Sequence, residues 1–266
     1  MSVDLSARPA AAQQAAAWAV PRCHPSLAPT DVHLWLAAVG AAAASERPLF
    51  TLLDASERER ASRFHAARDR RRFTLAHGLL RLLLGRYAGR SATQLGFGFG
   101  RYGKPHVLDL ETHMNLEFNM SHAGDLVLIA VARSRAVGVD VERWDEAVDY
   151  DGVAGFCFSP SERAALAALP QADKAAAFFA VWTRKEAYIK ATGCGITQGL
   201  DHFDVSPTPG AARLVCDRRE VGAVERWSMR DLIPATGYSG AVVAEGSYGL
   251  HCFSITPILE GCSTWS

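Results

Sequence analysis

The 266-residue sequence has no net charge, because 28 basic side chains balance 28 acidic ones. That removes any global reason to bind nucleic acid or an anionic membrane, so electrostatic function must be local. Cysteine is sparse. The six, at positions 23, 157, 194, 216, 252 and 262, include no C-x-x-C pair and no Cys/His cluster with zinc spacing. In a chain this long, scattered cysteines fit reduced thiols and a cytoplasmic setting better than a disulfide framework. No apolar run reaches about 18 residues, so no membrane span is expected. The N-terminus, "MSVDLSARPAAAQQAAAWAV", has no basic stretch ahead of an apolar run, and Gln13 and Gln14 interrupt its alanines. It does not read as a signal peptide. No internal repeat is visible.

What is present is a mixed pattern. Residues 1–30, rich in Ala and Pro, read as an extension of uncertain order. "DVHLWLAAV" (31–39) alternates as a strand does. Residues 51–89 read as helix, divided near Ala66–Asp69 and ended by Gly89. "LGFGFGRYGKPHVL" (95–108) suggests strand, turn and a short extended piece. Residues 116–144 read as a β-meander, with "RSRA" as the hairpin turn between "DLVLIAVA" and "VGVDVER". Helices are expected at 159–169, behind a Ser cap, and at 172–193, ended by Gly193. Short strands follow: "FDVSP", "ARLVCD", "VERWSM", "YSGAVVAE" and "GLHCFSI". Without strict βαβ alternation, the fold class is α+β.

Two segments break the neutral average. Residues 57–72 carry seven Arg against three acids, and residues 140–151 carry six acids against one Arg. Charge runs are usually solvated surface. Within the acidic run, however, the strand period of "GVDVER" places Asp140 and Glu142 on one face. Such a pair needs a cation, a basic neighbour or protonation. It is a candidate half-site for a hard cation shared with phosphate oxygens. If the pair stood alone, an exposed face made soluble by acids would explain it as well. In "WTRKEAYIKATGCGI", Glu186 and Lys190 lie one turn apart on a stripe with Phe178 and Trp182. A bare surface ion pair there would contribute only about 0.3–0.5 kcal/mol. "NMSHAG" offers Ser121, His122 and backbone N–H groups suited to phosphate oxygens. Ser121 and His122 do not read as a nucleophile–base pair, because neighbours on a strand point to opposite faces.

Taken in order, "RYGKP", "NMSH", "GVDVE", "FSPSE" and "WTRKEAYIKATGCGI" resemble a 4′-phosphopantetheinyl transferase of the larger, surfactin-synthetase type, across roughly residues 55–205. The resemblance implies two similar α+β halves in one chain, a pseudo-dimeric arrangement with the active site between them. The divisions expected are 31–136 and 137–266. It implies transfer of the phosphopantetheine arm of coenzyme A to a serine of an apo acyl or peptidyl carrier protein, a holo-carrier-protein synthase activity, with release of adenosine 3′,5′-bisphosphate. By position, Asp140, Glu142 and Glu186 match ligands of Mg²⁺ (or Mn²⁺), Glu186 also being the general base. Lys190 matches the lysine at the diphosphate. Ser121 and His122 match coenzyme A phosphate contacts, and Gly103 with Lys104 matches the nucleotide-binding turn. Arg60 and Arg72 match further nucleotide contacts on a looser alignment, and Lys185 is a candidate facing the nucleotide or solvent. Glu57 stands where relatives carry Lys. A monomer without nucleic-acid or membrane partners is expected.

Two other functions compete for the same residues. A nucleic-acid-binding module built on the Arg-rich segment is disfavoured by the neutral total and by the lack of a basic patch interleaved with aromatics. A magnesium-dependent hydrolase of a coenzyme A-like or nucleotide diphosphate would use the same carboxylates.

Overall fold

The computed structural model describes residues 18–39, 45–108, 115–145, 147–195 and 199–256. Residues 1–17, Glu146, Ile196 and the chain from residue 257 on, which figured in the sequence reading, lie outside the described residues.

The elements run β1 (Asp31–Ala38), α1 (Glu46–Leu52), α2 (Ala55–Ser62), α3 (Ala67–Ala88), β2 (Phe97–Phe99), β3 (Pro105–Val107), β4 (Leu116–Ala123), β5 (Leu126–Arg133), β6 (Val137–Arg143), α4 (Tyr150–Cys157), α5 (Pro160–Ala167), α6 (Gln171–Thr192), β7 (Phe203–Val205), β8 (Leu214–Asp217), α7 (Ala223–Arg226), β9 (Trp227–Leu232), β10 (Tyr238–Glu245) and β11 (Gly249–Ser254). The class is α+β, as expected. Each half supplies most of one larger sheet and one 22-residue helix, α3 or α6, and β2-β3 and β7-β8 form two small sheets besides. Both helices stop at a glycine in the left-handed region, Gly89 or Gly193, whose N–H returns to the last turn. At α5 the Ser159 cap and Glu162 form a reciprocal capping box.

The first sheet has the order β11-β1-β5-β4, and the second has β6-β10-β9. Alternation sorts the side chains into layers. One face of the first sheet, with Trp35, Phe118 and Ile129, packs on Leu75, Leu79 and Leu83 of α3. Its other face, with Leu34, Leu128 and Ala130, packs on Val139, Val141 and Val242 of the second sheet. The far face of that second sheet, with Met229, Ala241 and Val243, packs on α6. The molecule is therefore layered helix, sheet, sheet, helix.

Two expectations need correction. The strand "VGVDVER" does not form a hairpin with "DLVLIAVA". Both edges of β5 are already taken, by β1 and by β4, so β6 has no edge to join and pairs with β10 instead. Ser134, in the left-handed region at φ 51°, sits in the connection that carries the chain from one sheet to the other. Nor does the second half run unbroken from residue 137 to the C-terminus. β11 returns to the first sheet and pairs in parallel with β1. In smaller matters, the break in the first helical region falls at residues 63–66, and "VER" of "VERWSM" forms the short α7 before β9 begins.

Gly138 decides how closely α6 approaches β6. A Cβ there would collide with the Ala187 carbonyl and the Ala191 amide, both main-chain atoms of α6. Because backbone cannot rotate aside as a side chain does, Gly138→Ala should cost the upper end of the roughly 1–3 kcal/mol seen for overpacked cores. Urea denaturation of the variant beside the parent chain checks this. An unchanged midpoint would show that the helix has room to shift.

Candidate active site

The site lies where an edge of the first sheet, β4, faces an edge of the second, β6. No main-chain ladder joins these edges, and side chains bridge them instead. Asn119 of β4 accepts a hydrogen bond from the Val139 N–H through Oδ1 at 2.9 Å. Ser121, two residues on and so on the same face, donates to Asp140 Oδ1 at 2.8 Å. Lys104 crosses from the β2–β3 turn and donates to the carbonyls of Val137 (3.1 Å) and Ala191 (3.0 Å). It thereby satisfies one edge group of β6 and one of the orphan carbonyls at the end of α6.

Asp140 is 3% exposed. Its Oδ1 also accepts from Lys190 Nζ at 2.6 Å, and Lys190 reaches Ser121 Oγ at 3.1 Å. Burial pushes the Asp140 carboxyl up, opposed by the Lys190 ammonium. Glu142, two residues along β6, accepts from the Trp182 indole N–H at 3.2 Å through Oε1. Its pKa is raised by burial and by the nearby Asp140. Glu186, 6% exposed, lies one helical turn before Lys190. Burial, then Asp140 and more weakly Glu142, raise its carboxyl to about 7. The exposed acidic face considered from the sequence is thus replaced by a buried carboxylate cluster.

Among the described residues, no group of three His, Cys, Asp or Glu side chains is arranged to hold a metal ion. The reason is local: Asp140 is turned onto Lys190 and Ser121, and Glu142 onto Trp182. Two buried oxygens nevertheless have no partner, Asp140 Oδ2 and Glu186 Oε1. An all-oxygen donor set with orphaned, mutually repelling carboxylates fits a hard divalent cation.

Two cavities open beside this cluster. One, of about 300 Å³, is lined by Gly103, Lys104, Glu186, Lys190, Gly193 and Gly195, among others. The second, of about 510 Å³, lies between α2, α3 and the β2–β3 hairpin. Its aromatic floor includes Phe73, which carries Arg60 5.2 Å from its ring centroid and His77 stacked at 4.0 Å. The cavities share Gly103, Pro105 and Asn119. Gly103, at φ 84°, makes the tight turn that brings the backbone to both.

Most residues singled out in the sequence converge here: Gly103, Lys104, Ser121, Asp140, Glu142, Glu186 and Lys190, with Arg60 in the larger cavity. His122 points to the other face of β4. Burial and then the positive neighbours Lys190, His77 and Arg72 hold its pKa down. Arg72 is not free for a nucleotide, since Nε and Nη2 both bond Asp125 Oδ1. The Lys104 ammonium donates to two main-chain carbonyls. Lys185 is a correction. It is 0% exposed, pairs with Glu162 at 2.8 Å, and donates to the carbonyls of Leu200 and Phe203. One position round the helix from Glu186, it faces the core instead of the cleft. Glu57 is buried and bonded to Arg81 and His77, so it adds no basic group to the cavity. Asn119, His77 and the Trp182–Glu142 hydrogen bond were missed. Asn119 stood inside the quoted "NMSH", and His77 lies one turn after Phe73, so spacing held a signal for both.

Residues 136–243 match the family model of the 4′-phosphopantetheinyl transferase superfamily, and residues 44–134 match that of the 4′-phosphopantetheinyl transferase N-terminal region. The 4′-phosphopantetheinyl transferase HetI of Nostoc sp. is 35% identical over 216 residues, covering 81% of this chain and 88% of HetI. The Sfp protein of Bacillus subtilis, also named a 4′-phosphopantetheinyl transferase, is 30% identical, covering 58% of this chain and 66% of its own. The chain belongs to the 4′-phosphopantetheinyl transferase superfamily. A solved Thermotoga maritima holo-[acyl-carrier-protein] synthase aligns with a TM-score of 0.34 at 18% identity, over 42% of this chain and 63% of that one.

Two predictions follow from the local chemistry. Because the folded pKa of Glu186 lies above its ordinary value of 4.5, the folded state binds the proton more tightly. This contribution to stability is complete below the unfolded pKa and is lost as pH climbs through about 7. Glu186→Gln stays neutral, so it should match the metal-free parent near pH 4 and exceed it near pH 8 by on the order of 1–3 kcal/mol. Urea titrations at both pH values read the difference, and a parent that stays level with the variant across this range would contradict the raised carboxyl. For the lysine in the core, Lys185→Met strands a buried Glu162 charge and should cost about 3–5 kcal/mol. Coenzyme A affinity of the folded fraction should not change. A loss of affinity without a loss of stability would return Lys185 to the cleft.

Proposed function

We propose that this chain transfers the 4′-phosphopantetheine arm of coenzyme A to a serine of an apo acyl or peptidyl carrier protein, releasing adenosine 3′,5′-bisphosphate. The observation that carries the reading is Glu186. It is a buried carboxylate with an unpartnered oxygen and a pKa raised to about 7, one turn from the Lys190 ammonium and lining a cavity. Ionised, Glu186 takes the proton of the incoming serine hydroxyl. The serine oxygen forms the new bond to the phosphorus bearing pantetheine, and the bond from that phosphorus to the leaving phosphate breaks. Lys190 stabilises the charge that develops on the leaving oxygens. Ser121 holds Lys190 and Asp140 in register with each other.

Asp140, Glu142 and Glu186 would hold Mg²⁺ or Mn²⁺, which when bound supplies positive charge to the diphosphate. The Trp182 N–H fixes which Glu142 oxygen remains available. The larger cavity, with Arg60, Phe73 and His77, suits the adenosine end, since aromatic and cationic groups together fit a base and its phosphate. His122 borders the same basic end of α3, while Arg72 acts there only through its Asp125 partner. The halves on either side of the cleft belong to one chain, which supports a monomer. All five described cysteines are free thiols, which supports a reducing compartment such as the cytoplasm. No helix among the described residues is long and apolar enough to cross a membrane.

The test mixes the chain with coenzyme A, Mg²⁺ and an apo carrier protein and follows the carrier's mass. The carrier should gain one phosphopantetheine arm. Coenzyme A cleavage without that gain would overturn the reading. In single-turnover measurements, Glu186→Gln and Lys190→Met should each lower transfer by about 10²–10³-fold, the usual effect of removing one interaction made mainly in the transition state. Coenzyme A binding by calorimetry should suffer less. Activity within a few-fold of the parent for both would return this helix to a structural role.

A further inference from the structure

We propose that His33 is an acid-sensitive clasp on β11, holding that strand to the first sheet while its imidazole is neutral and releasing it when the ring is protonated.

The hydrogen bonds fix the state of the ring. His33 is 2% exposed, and its Nδ1 lies 2.7 Å from the Tyr87 hydroxyl at the end of α3. The same hydroxyl receives the Trp35 indole N–H at 2.9 Å. An indole nitrogen only donates, so it occupies a lone pair of the Tyr87 oxygen and leaves the hydroxyl hydrogen for His33. Nδ1 therefore accepts, and the one ring hydrogen of the neutral form stands on Nε2. A proton added at Nδ1 would meet that oxygen as a second donor and strand a buried hydroxyl hydrogen, which carries a desolvation penalty.

The surroundings also oppose the charged form. The groups that face the ring are His251 from β11, Asp31 from β1 itself, His24 from the segment before β1 and Tyr87 from α3. From β5 its register partner is the apolar Val131. Burial first, then His251 and His24, hold the His33 pKa down to about 4 against the opposing pull of Asp31. Asp31 Oδ2 lies 3.3 Å from His251 Nε2, so one carboxylate serves both rings.

β11 is the element placed to yield. His251 is the register partner of His33 across the β1–β11 pair, with ring centroids 5.6 Å apart, and Phe253 stands edge-on to His33 at 5.1 Å. Two imidazolium rings at that separation repel. β11 is an outer strand of its sheet and none of its residues is fully buried. Lightly buried elements open at the lowest cost. The cleft edge, β4, lies on the far side of the same sheet, so β11 can leave without unpairing it. Because His33 titrates lower in the fold than its ordinary 6.5, the clasp is complete above that value and weakens as pH falls toward about 4.

Hydrogen exchange read by mass spectrometry on the full chain, at pH 5 and pH 8, follows the main-chain amides of β11. After correction for intrinsic exchange rates, the parent's opening constant should be about tenfold or more larger at pH 5, the effect of one proton across a pH unit or more between the two pKa values. His33→Asn keeps an acceptor for Tyr87 and takes up no proton, so its opening constant should change far less between the same conditions. An equal change in parent and variant overturns the proposal. NMR of the parent labelled with ¹⁵N-histidine reads the ring without any substitution, and decides the matter if the variant does not fold. His33 should be the Nε2–H tautomer at pH 7 and still neutral at pH 5.5. A ring that carries its hydrogen on Nδ1, or that is protonated by pH 6, overturns the proposal as well.

Discussion

Asp140 is a carboxylate almost without access to water, and the ammonium of Lys190 is its counter-charge. Burying such a pair is costly unless the geometry is good and the remaining lone pairs are met. Several other features of the fold follow from that requirement. α6 must lie close enough to β6 for Lys190 to reach, which only a glycine at 138 allows. β4 must lie close enough for the Ser121 hydroxyl to join, which brings the first sheet to the edge of the second. The Lys190–Asp140–Ser121 contact thus joins α6, β6 and β4, one element of the first half and two of the second.

The cleft exists because these two edges meet without pairing. β4 already pairs with β5 and β6 with β10, so each turns one unpaired row of main-chain groups toward the other. Exposed edges of this kind are normally covered or blunted. Here polar side chains from the first half, Asn119 and Lys104, satisfy individual groups at the second. Spacing the edges by side chains leaves room between them that a continuous sheet would fill. Two clusters of packed apolar residues, one on α3 and one on α6, keep the outer layers rigid behind that gap. The reacting groups therefore project from elements that cannot easily shift.

Local chemistry was legible in the sequence, and long-range pairing was not. The left-handed stops at Gly89 and Gly193 and the Ser159–Glu162 box depend on residues within one turn, so spacing alone revealed them. The shared face of Asp140 and Glu142 followed from strand period. The partner of β6 could not be read the same way. It depends on whether β1, about a hundred residues earlier in the sequence, has taken the free edge of β5, and no local pattern encodes that. The return of β11 to β1 is hidden for the same reason. Lys185 and Lys190 look alike in "RKEAYIK", but a five-residue separation turns them about the helix axis to different surroundings. Glu162 and the carbonyls of Leu200 and Phe203 claim the first, and Asp140 claims the second. Arg72 looked available because its partner Asp125 is 53 residues away.

Charge balance in the cluster explains how one arrangement is both stable and reactive. Among the described residues, Lys190 is the ammonium that offsets Asp140, Glu142 and Glu186, so full ionisation would leave an excess of negative charge in a desolvated site. Coulomb repulsion at short range in such surroundings is far larger than in water. The protein meets part of the excess by raising Glu186, which Lys190 offsets only through space and whose Oε1 has no hydrogen-bond partner, until it holds its proton near neutral pH. Asp140 is matched to Lys190 and Glu142 to Trp182, so the proton settles on the third member of the set. Asp140, Glu142 and Glu186 would hold a divalent cation at that excess, and its charge would favour the ionised form of Glu186. The same deficit of compensation that makes Glu186 a cost to the resting fold leaves it the least committed carboxylate of the three, which is why the proposed reading gives it the hydroxyl proton.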